Sequence, residues 1–174
     1  MKKQTTLALQ YGAATGAAMG LWLFAEHALG FHHQYQHFLG VSSLLSAFLP
    51  VFGISALFTA TFSRGKLSWK KGFVVGFIAS LAIGIVVGFF QSIYVATLNS
   101  EFLGQLQQEL LASLKADTRF TSAEIAEFMP VIDWLHTPLG FGFQTGVVSV
   151  ITGMFLSILT ILIVRTFQYR IRRK

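Results

Sequence analysis

Four apolar runs, near residues 7–25, 38–62, 72–98 and 139–164, leave this chain few ways to fold. A helix needs about 20 such residues to cross the hydrocarbon core of a bilayer. Inside a bilayer every backbone N–H and C=O must find a partner within the segment, so helices are the expected form. No stretch alternates long enough to read as a strand. The expected class is all-α: an integral membrane four-helix bundle with an extracytoplasmic amphipathic helical hairpin between helices 3 and 4. Residues 1–174 form one transmembrane domain, with outer segments at 26–37 and 99–138 and a cytoplasmic loop at 63–71.

Composition agrees with this reading. Apolar residues make up 53% of the chain and charged ones 11%, against a usual charged share of about a quarter. With 18 Phe, a soluble globule of this length would lack the polar surface to cover itself. The chain has no cysteine, which excludes disulfides, thiolate catalysis and cysteine-ligated metals. The first run follows Met1-Lys2-Lys3 and has the basic start of a signal peptide, yet its apolar part exceeds an h-region and no clear A-x-A site follows. It is read as the first span.

The segment Ser63-Arg64-Gly65-Lys66-Leu67-Ser68-Trp69-Lys70-Lys71 separates the second run from the third. Four spans place it on the same side as both termini. That side receives Lys2, Lys3, Arg64, Lys66, Lys70, Lys71, Arg165, Arg170, Arg172, Arg173 and Lys174, while Lys115 and Arg119 fall opposite. The seven acids and five histidines all fall opposite as well. Bases collect on the cytoplasmic side of membrane proteins, so both termini are expected there. The net charge of +6 therefore reports threading and predicts no nucleic-acid partner. Arg64, Lys66, Lys70, Lys71 and Arg165 are the topology-determining residues.

Glycines recur every four residues: Gly12, Gly16 and Gly20 in the first run, then Gly72 with Gly76 and Gly84 with Gly88 in the third. Four-residue spacing puts them on one helix face, where a neighbouring backbone can approach closely, so these seven are the predicted helix-packing residues. Pro50 predicts a kink in the second run. In the outer segment, Phe102, Leu103, Leu106, Leu110 and Leu114 predict an amphipathic helix. Thr121-Ser122-Ala123-Glu124 matches a capping box, opening a short helix that Pro130 is expected to end.

Catalytic chemistry finds no foothold. The middles of the spans carry no Asp, Glu, Lys, Arg or His, the groups on which coupled transport usually depends. Gln91 and Gln144 are the largest polar groups there and are expected to bridge helices. No G-x-S-x-G, P-loop or defined carboxylate pair occurs. His33 and His37, four apart, are weak metal candidates, with Glu26, His27, His32, Asp133 and His136 as further ligands if the outer segments meet. Zinc needs three or four converging groups. No cofactor is expected.

Several stretches resemble the bacterial "domain of unknown function 4199" proteins. They are Lys66-Leu67-Ser68-Trp69-Lys70-Lys71-Gly72-Phe73 leading into a Gly-rich span, and Ile93-Tyr94 before Asn99-Ser100-Glu101-Phe102. A third is Thr121-Ser122-Ala123-Glu124-Ile125-Ala126-Glu127 ahead of Thr137-Pro138. The resemblance covers nearly the whole chain and implies a four-span protein of the bacterial inner membrane with no established activity. The stretch from His32 to His37 departs from the family pattern. The functional expectation is a non-enzymatic packing or accessory subunit in the lipid bilayer that self-associates or joins a membrane complex. One alternative is a metal- or ligand-responsive protein sensing through its outer face. Another is a small-solute carrier using Gln91, Gln144 and the Pro50 kink.

Overall fold

A computed structural model describes residues 2–30, 39–62 and 67–171, with side chains described for 2–30, 48–62 and 67–166. Among the described residues six helices follow in order: α1 (Lys2–Ala28), α2 (Leu39–Phe62), α3 (Trp69–Thr97), α4 (Ser100–Ala116), α5 (Ser122–Leu135) and α6 (Pro138–Ile171). No strand occurs among the described residues. The chain is all-α.

Local chemistry sets the helix starts. Ser68 caps α3, its hydroxyl accepting from the Lys71 N–H at 3.3 Å. Thr137 precedes α6 and accepts from the Gly140 N–H at 3.1 Å, while Pro138 takes the first helical position, where its missing N–H costs nothing. The capping box is present at α5: the Thr121 hydroxyl accepts from Glu124 N–H, and the Glu124 carboxylate accepts from Thr121 N–H at 2.8 Å. Pro130 does not end that helix. It lies inside α5, which runs on to Leu135. The capped start and the turn closed by His136 N–H on the Ile132 carbonyl hold the helix through the one bond that proline removes. Pro50 likewise lies within α2.

The Glu124 carboxyl is held below its ordinary value of 4.5 by the Thr121 backbone N–H, then by the Thr121 hydroxyl. A folded-state value below the unfolded one means the cap contributes above about pH 4.5 and is lost as pH falls through the lowered value. Thr121→Ala should cost about 1 kcal/mol of α5 stability. Amide hydrogen exchange across 122–135 checks both effects, and protection unchanged by the variant and by acid would show that the cap is idle.

Long helices pack as a ring in the order α1, α3, α6, α2. The widest contact is between α3 and α6, followed by α1 with α3 and α1 with α2. Gly12, Gly16 and Gly20 face Ala79, Ile83 and Phe90 in that order, so α1 and α3 run parallel. Gly72, Gly76, Gly84 and Gly88 face Ile161, Ser157, Val150 and Gly142, so α6 runs antiparallel to α3. The main core of Ile54, Leu57, Phe58, Val75, Ala79, Ile83 and Ile161 fills the half of the ring nearer the start of α1. Three buried hydroxyls are satisfied within their own helices: Thr15 donates to the Tyr11 carbonyl at 2.7 Å, Ser80 to Gly76 at 2.7 Å and Ser157 to Gly153 at 2.8 Å, whereas the buried Thr61 hydroxyl finds no partner among the described residues. Such i−4 bonds let small polar residues enter an apolar interior without an orphaned donor.

Two helices among the described residues are long and apolar enough to cross a membrane, Trp69–Thr97 and Pro138–Thr166, and Phe48–Phe62 is a shorter apolar stretch. The 27-residue α1 is not among them; Gln4, Thr5, Thr6, Gln10 and Tyr11 hold its first half polar. In α3 the outward residues Phe73, Phe77, Leu81, Ile85 and Phe89 are exposed, and in α6 Leu139, Phe143, Ile151 and Phe155 are. Only 17% of the most apolar stretch of α6 is buried, against 50% in α3, so α6 presents a barer apolar face than α3.

Helices α4 and α5 cover one end of the ring. Leu103 is buried beside Tyr94 and Val95, and the Phe102 ring meets Phe141 edge-on at 5.7 Å. The expected amphipathic stripe is buried at its N-terminal end, whereas Leu110 stays 37% exposed. Gln107 Nε2 donates to Asp133 Oδ1 at 2.7 Å, tying α4 to α5. In the turn between them Arg119 engages both oxygens of Asp117 and holds its carboxyl below the ordinary range.

Candidate functional site

Two arrangements stand out: a polar cluster where α1 and α3 end, and a glycine-floored groove along α3 and α6.

At the first, Tyr94 is the centre. Its side chain is 2% exposed, boxed by Phe24, whose ring meets it edge-on at 5.9 Å, and by Val95 and Leu103. The Tyr94 hydroxyl lies 3.4 Å from Nδ1 of His27, and Asn99 Nδ2 donates to it from 3.5 Å. Both distances are at the long end for a hydrogen bond. With Asn99 donating to the hydroxyl oxygen, the phenol proton can point at Nδ1, which requires His27 to carry its proton on Nε2. Glu26, next in the chain to His27, is 4% exposed, a rare burial for a carboxylate. An imidazole, a phenol and an amide thus meet, the first two from residues 67 positions apart, with the buried Glu26 next in the chain to the imidazole. Such a set can take up or pass a proton and can hydrogen-bond a small polar ligand.

The sequence pointed to Glu26 and His27 as possible ligands and missed Tyr94 and Asn99. A lone Tyr near the end of an apolar span has the signature of an interfacial residue, and only the pairing of α1 with α3 gives it partners. The candidate pair His33 and His37, with His32, lies outside the described residues, as do Arg64 and Lys66. Asp133 is taken up by Gln107, and the His136 ring pairs through Nδ1 with the Ile132 carbonyl at 2.7 Å. No group of three or more His, Cys, Asp or Glu able to hold a metal occurs among the described residues.

The second arrangement is built from the glycines. A Cβ on Gly84 would lie 2.5 Å from the Gly146 carbonyl oxygen, and one on Gly88 2.6 Å from that of Gly142. A Cβ on Gly76 would lie 2.5 Å from Ser157 Cβ, and one on Gly153 2.7 Å from the Ser80 hydroxyl oxygen. Small residues thus alternate from the two helices along the whole contact, and dispersion between close backbones holds it. On α1, a Cβ on Gly12 would lie 2.5 Å from the Ala79 carbonyl oxygen, and one on Gly16 2.9 Å from Val86 Cβ, so α3 is gripped from two sides. The partner glycines Gly142 and Gly146 carry the same four-residue spacing that singles out Gly84 and Gly88. Along the outward side of this seam runs a groove of about 670 Å³, floored by Gly84, Gly88, Gly142 and Gly146 and walled by Ile85, Phe89, Leu139 and Phe143.

Gln91 is half-buried on α3 and Gln144 is exposed on α6. Lys70 and Lys71 are exposed in the first turn of α3. Arg165, near the end of α6, places its guanidinium 5.4 Å from the Trp69 ring centre, joining the two helices at the basic end.

No curated protein and no solved structure matches the chain. Residues 10–166 match the family model described as "Protein of unknown function (DUF4199)", a match that takes in α1 from Gln10, both membrane-capable helices, the Tyr94 cluster and the glycine seam. Nearly the whole chain is covered, and it belongs to the DUF4199 family.

Proposed function

We propose that the protein is a four-span, non-enzymatic subunit of the bacterial inner membrane that packs against a second copy of itself along the α3–α6 face. In this reading α1, α2, α3 and α6 are the spans, and both termini and the segment around Arg64 are cytoplasmic. The extracytoplasmic hairpin is α4 with α5. The observation that carries it is the α3–α6 face: exposed Ile85, Phe89 and Phe143 stand over a glycine floor that admits another helix closely. Parallel α1 and α3 with antiparallel α6 put Lys2, Lys3, Lys70, Lys71 and Arg165 at one end and Glu26 with the acids of α4 and α5 at the other, as the positive-inside rule asks.

The absence of native cysteine makes the test direct. Single variants Ile85→Cys and Phe143→Cys in native membranes should give crosslinked dimers with a short bifunctional reagent, and Ala112→Cys on the exposed face of α4 should not. Monomer at all three positions would remove self-association. A reporter fused in the 63–71 loop should read as cytoplasmic, and an exported reading would overturn the topology.

A second reading has its own support. The buried Glu26 beside His27, Tyr94 and Asn99 suits a protein that responds to protons or a polar ligand at its outer face. Tyr94→Phe removes the shared hydroxyl and keeps the ring, so it should blunt any such response while leaving the fold intact. An unchanged response would dismiss the cluster.

A further inference from the structure

Leu135 ends α5 and Pro138 opens α6, and Pro138 is also the first residue of the membrane-capable stretch. The short turn between them folds α5 back. The Trp134 ring lies 5.7 Å from that of Phe143, and a Cβ on Gly140 would run into the Trp134 carbonyl. Trp134 therefore stands beside the first turns of the span and not above them. On α5, Glu127, Val131 and Trp134 follow at steps of four and three, which puts them on one face, with Phe128 at its edge. Phe128, Val131 and Trp134 are 53%, 56% and 48% exposed, while Ile132 on the opposite side is buried and Asp133 is held by Gln107 of α4. This exposed face changes character along its length. Ala123, Glu124 and Glu127 come first, and the three large apolar side chains occupy the half nearer α6.

We propose that α5 is an interfacial anchor whose edge of Phe128, Val131 and Trp134 sits in the outer leaflet of the bilayer. This anchor rests on the membrane reading above and adds a lipid-facing surface outside the four spans. Depth supports it. Phe143 is five residues beyond Pro138, about 7.5 Å into the span, and Trp134 is beside it. Three residues of helix advance about 4.5 Å and six about 9 Å, so Val131 and Phe128 stay that close to Trp134 at any tilt of α5. The headgroup layer on each side of the hydrocarbon is itself about 5–8 Å deep. All three side chains therefore fall at the hydrocarbon edge or among the headgroups, and an indole at that depth matches the aromatic belt of membrane proteins. The order of residues along the face decides between a bilayer and a protein. A protein covering the whole face would have to take in Glu124 and Glu127, whereas a bilayer covers the apolar half and leaves both carboxylates in water.

The chain has no cysteine, so single cysteines can carry spin labels without background. Full-length Ala123→Cys, Glu127→Cys, Phe128→Cys and Val131→Cys, labelled and reconstituted into phosphatidylethanolamine–phosphatidylglycerol vesicles, are compared by relaxation. Oxygen partitions into lipid, and a nickel chelate stays in water. The oxygen-to-nickel ratio should rise severalfold from Glu127 to Val131, approaching that of Ile151→Cys on the exposed face of α6. A second measurement keeps α5 native. With Trp22→Phe and Trp69→Phe, Trp134 is the sole tryptophan, and phospholipids brominated near the headgroup should quench it more than those brominated near the chain end. Ratios at Phe128 and Val131 as low as at Ala123, or emission that neither lipid quenches, would overturn the anchor. Labels at both positions shielded from both relaxants would overturn it too, by showing that a protein covers the face. A water-like ratio at Ile151 would strike the membrane reading itself and the anchor with it. A lipid-like ratio there with a water-like one at Val131 would strike the anchor alone.

Discussion

Gly88→Leu is expected to lower the stability of the purified protein by about 3 kcal/mol, the upper end of what overpacking costs. The reason is the identity of the neighbour. A Cβ at this position meets the Gly142 carbonyl oxygen at 2.6 Å, with the Gly146 Cα at 3.5 Å behind it. Neither is the end of a flexible side chain, so the two backbones must separate, and the dispersion contacts above and below Gly88 weaken with them. Gly104→Ala is the matched control. Its Cβ meets nothing within 4 Å, and it lies inside α4, so the exchange should stabilise by about 0.5–1 kcal/mol through helix propensity alone. Thermal unfolding in detergent measures both. A Gly88→Leu melt matching the wild type would mean that α3 and α6 do not touch there.

Gly12→Leu should cost a similar amount, about 2–3 kcal/mol, through a different interface. Its Cβ would meet the Ala79 carbonyl oxygen at 2.5 Å and Ala82 Cβ at 2.8 Å, forcing α1 off α3. The seams lie on different sides of α3. The milder pair Gly12→Ala and Gly88→Ala should therefore combine additively to within about 0.5 kcal/mol. Strong coupling between them would show that α3 shifts as one rigid body when either side is wedged. Loss of α1 also removes His27 and Glu26 from Tyr94, so Gly12→Leu should expose the buried tyrosine to solvent perturbation. Gly88→Leu should leave it shielded. Near-ultraviolet absorbance distinguishes the two.

Much of the architecture was legible in the chain because its signals are local. A capping box needs Thr121 and Glu124 three residues apart, and both hydrogen bonds form where the spacing places them. Pro130 shows where local reading stops. A proline penalises one backbone bond, and whether the helix survives depends on the bonds that flank the gap; here they hold, and α5 continues to Leu135. The Tyr94 cluster was hidden for a related reason. Its members are scattered along the chain, and none has a spacing that marks it.

What the chain by itself determined is a set of faces: which segments are helical and apolar, which glycines share a side, and which end of each segment is basic. These follow from the helical repeat, from propensity and from the cost of putting charge in hydrocarbon. What only the tertiary structure decided is the pairing of those faces. Gly12 and Gly16 could have met α2, a second copy or lipid; they meet Ala79 and Ile83, because those positions of α3 leave carbonyls accessible at the right height. Gly84 and Gly88 find Gly146 and Gly142, where two glycine repeats running in opposite directions let the backbones close to contact. A glycine specifies that something may come near. Which backbone does come near depends on shape matching over the length of two helices, a non-local property that no single segment contains.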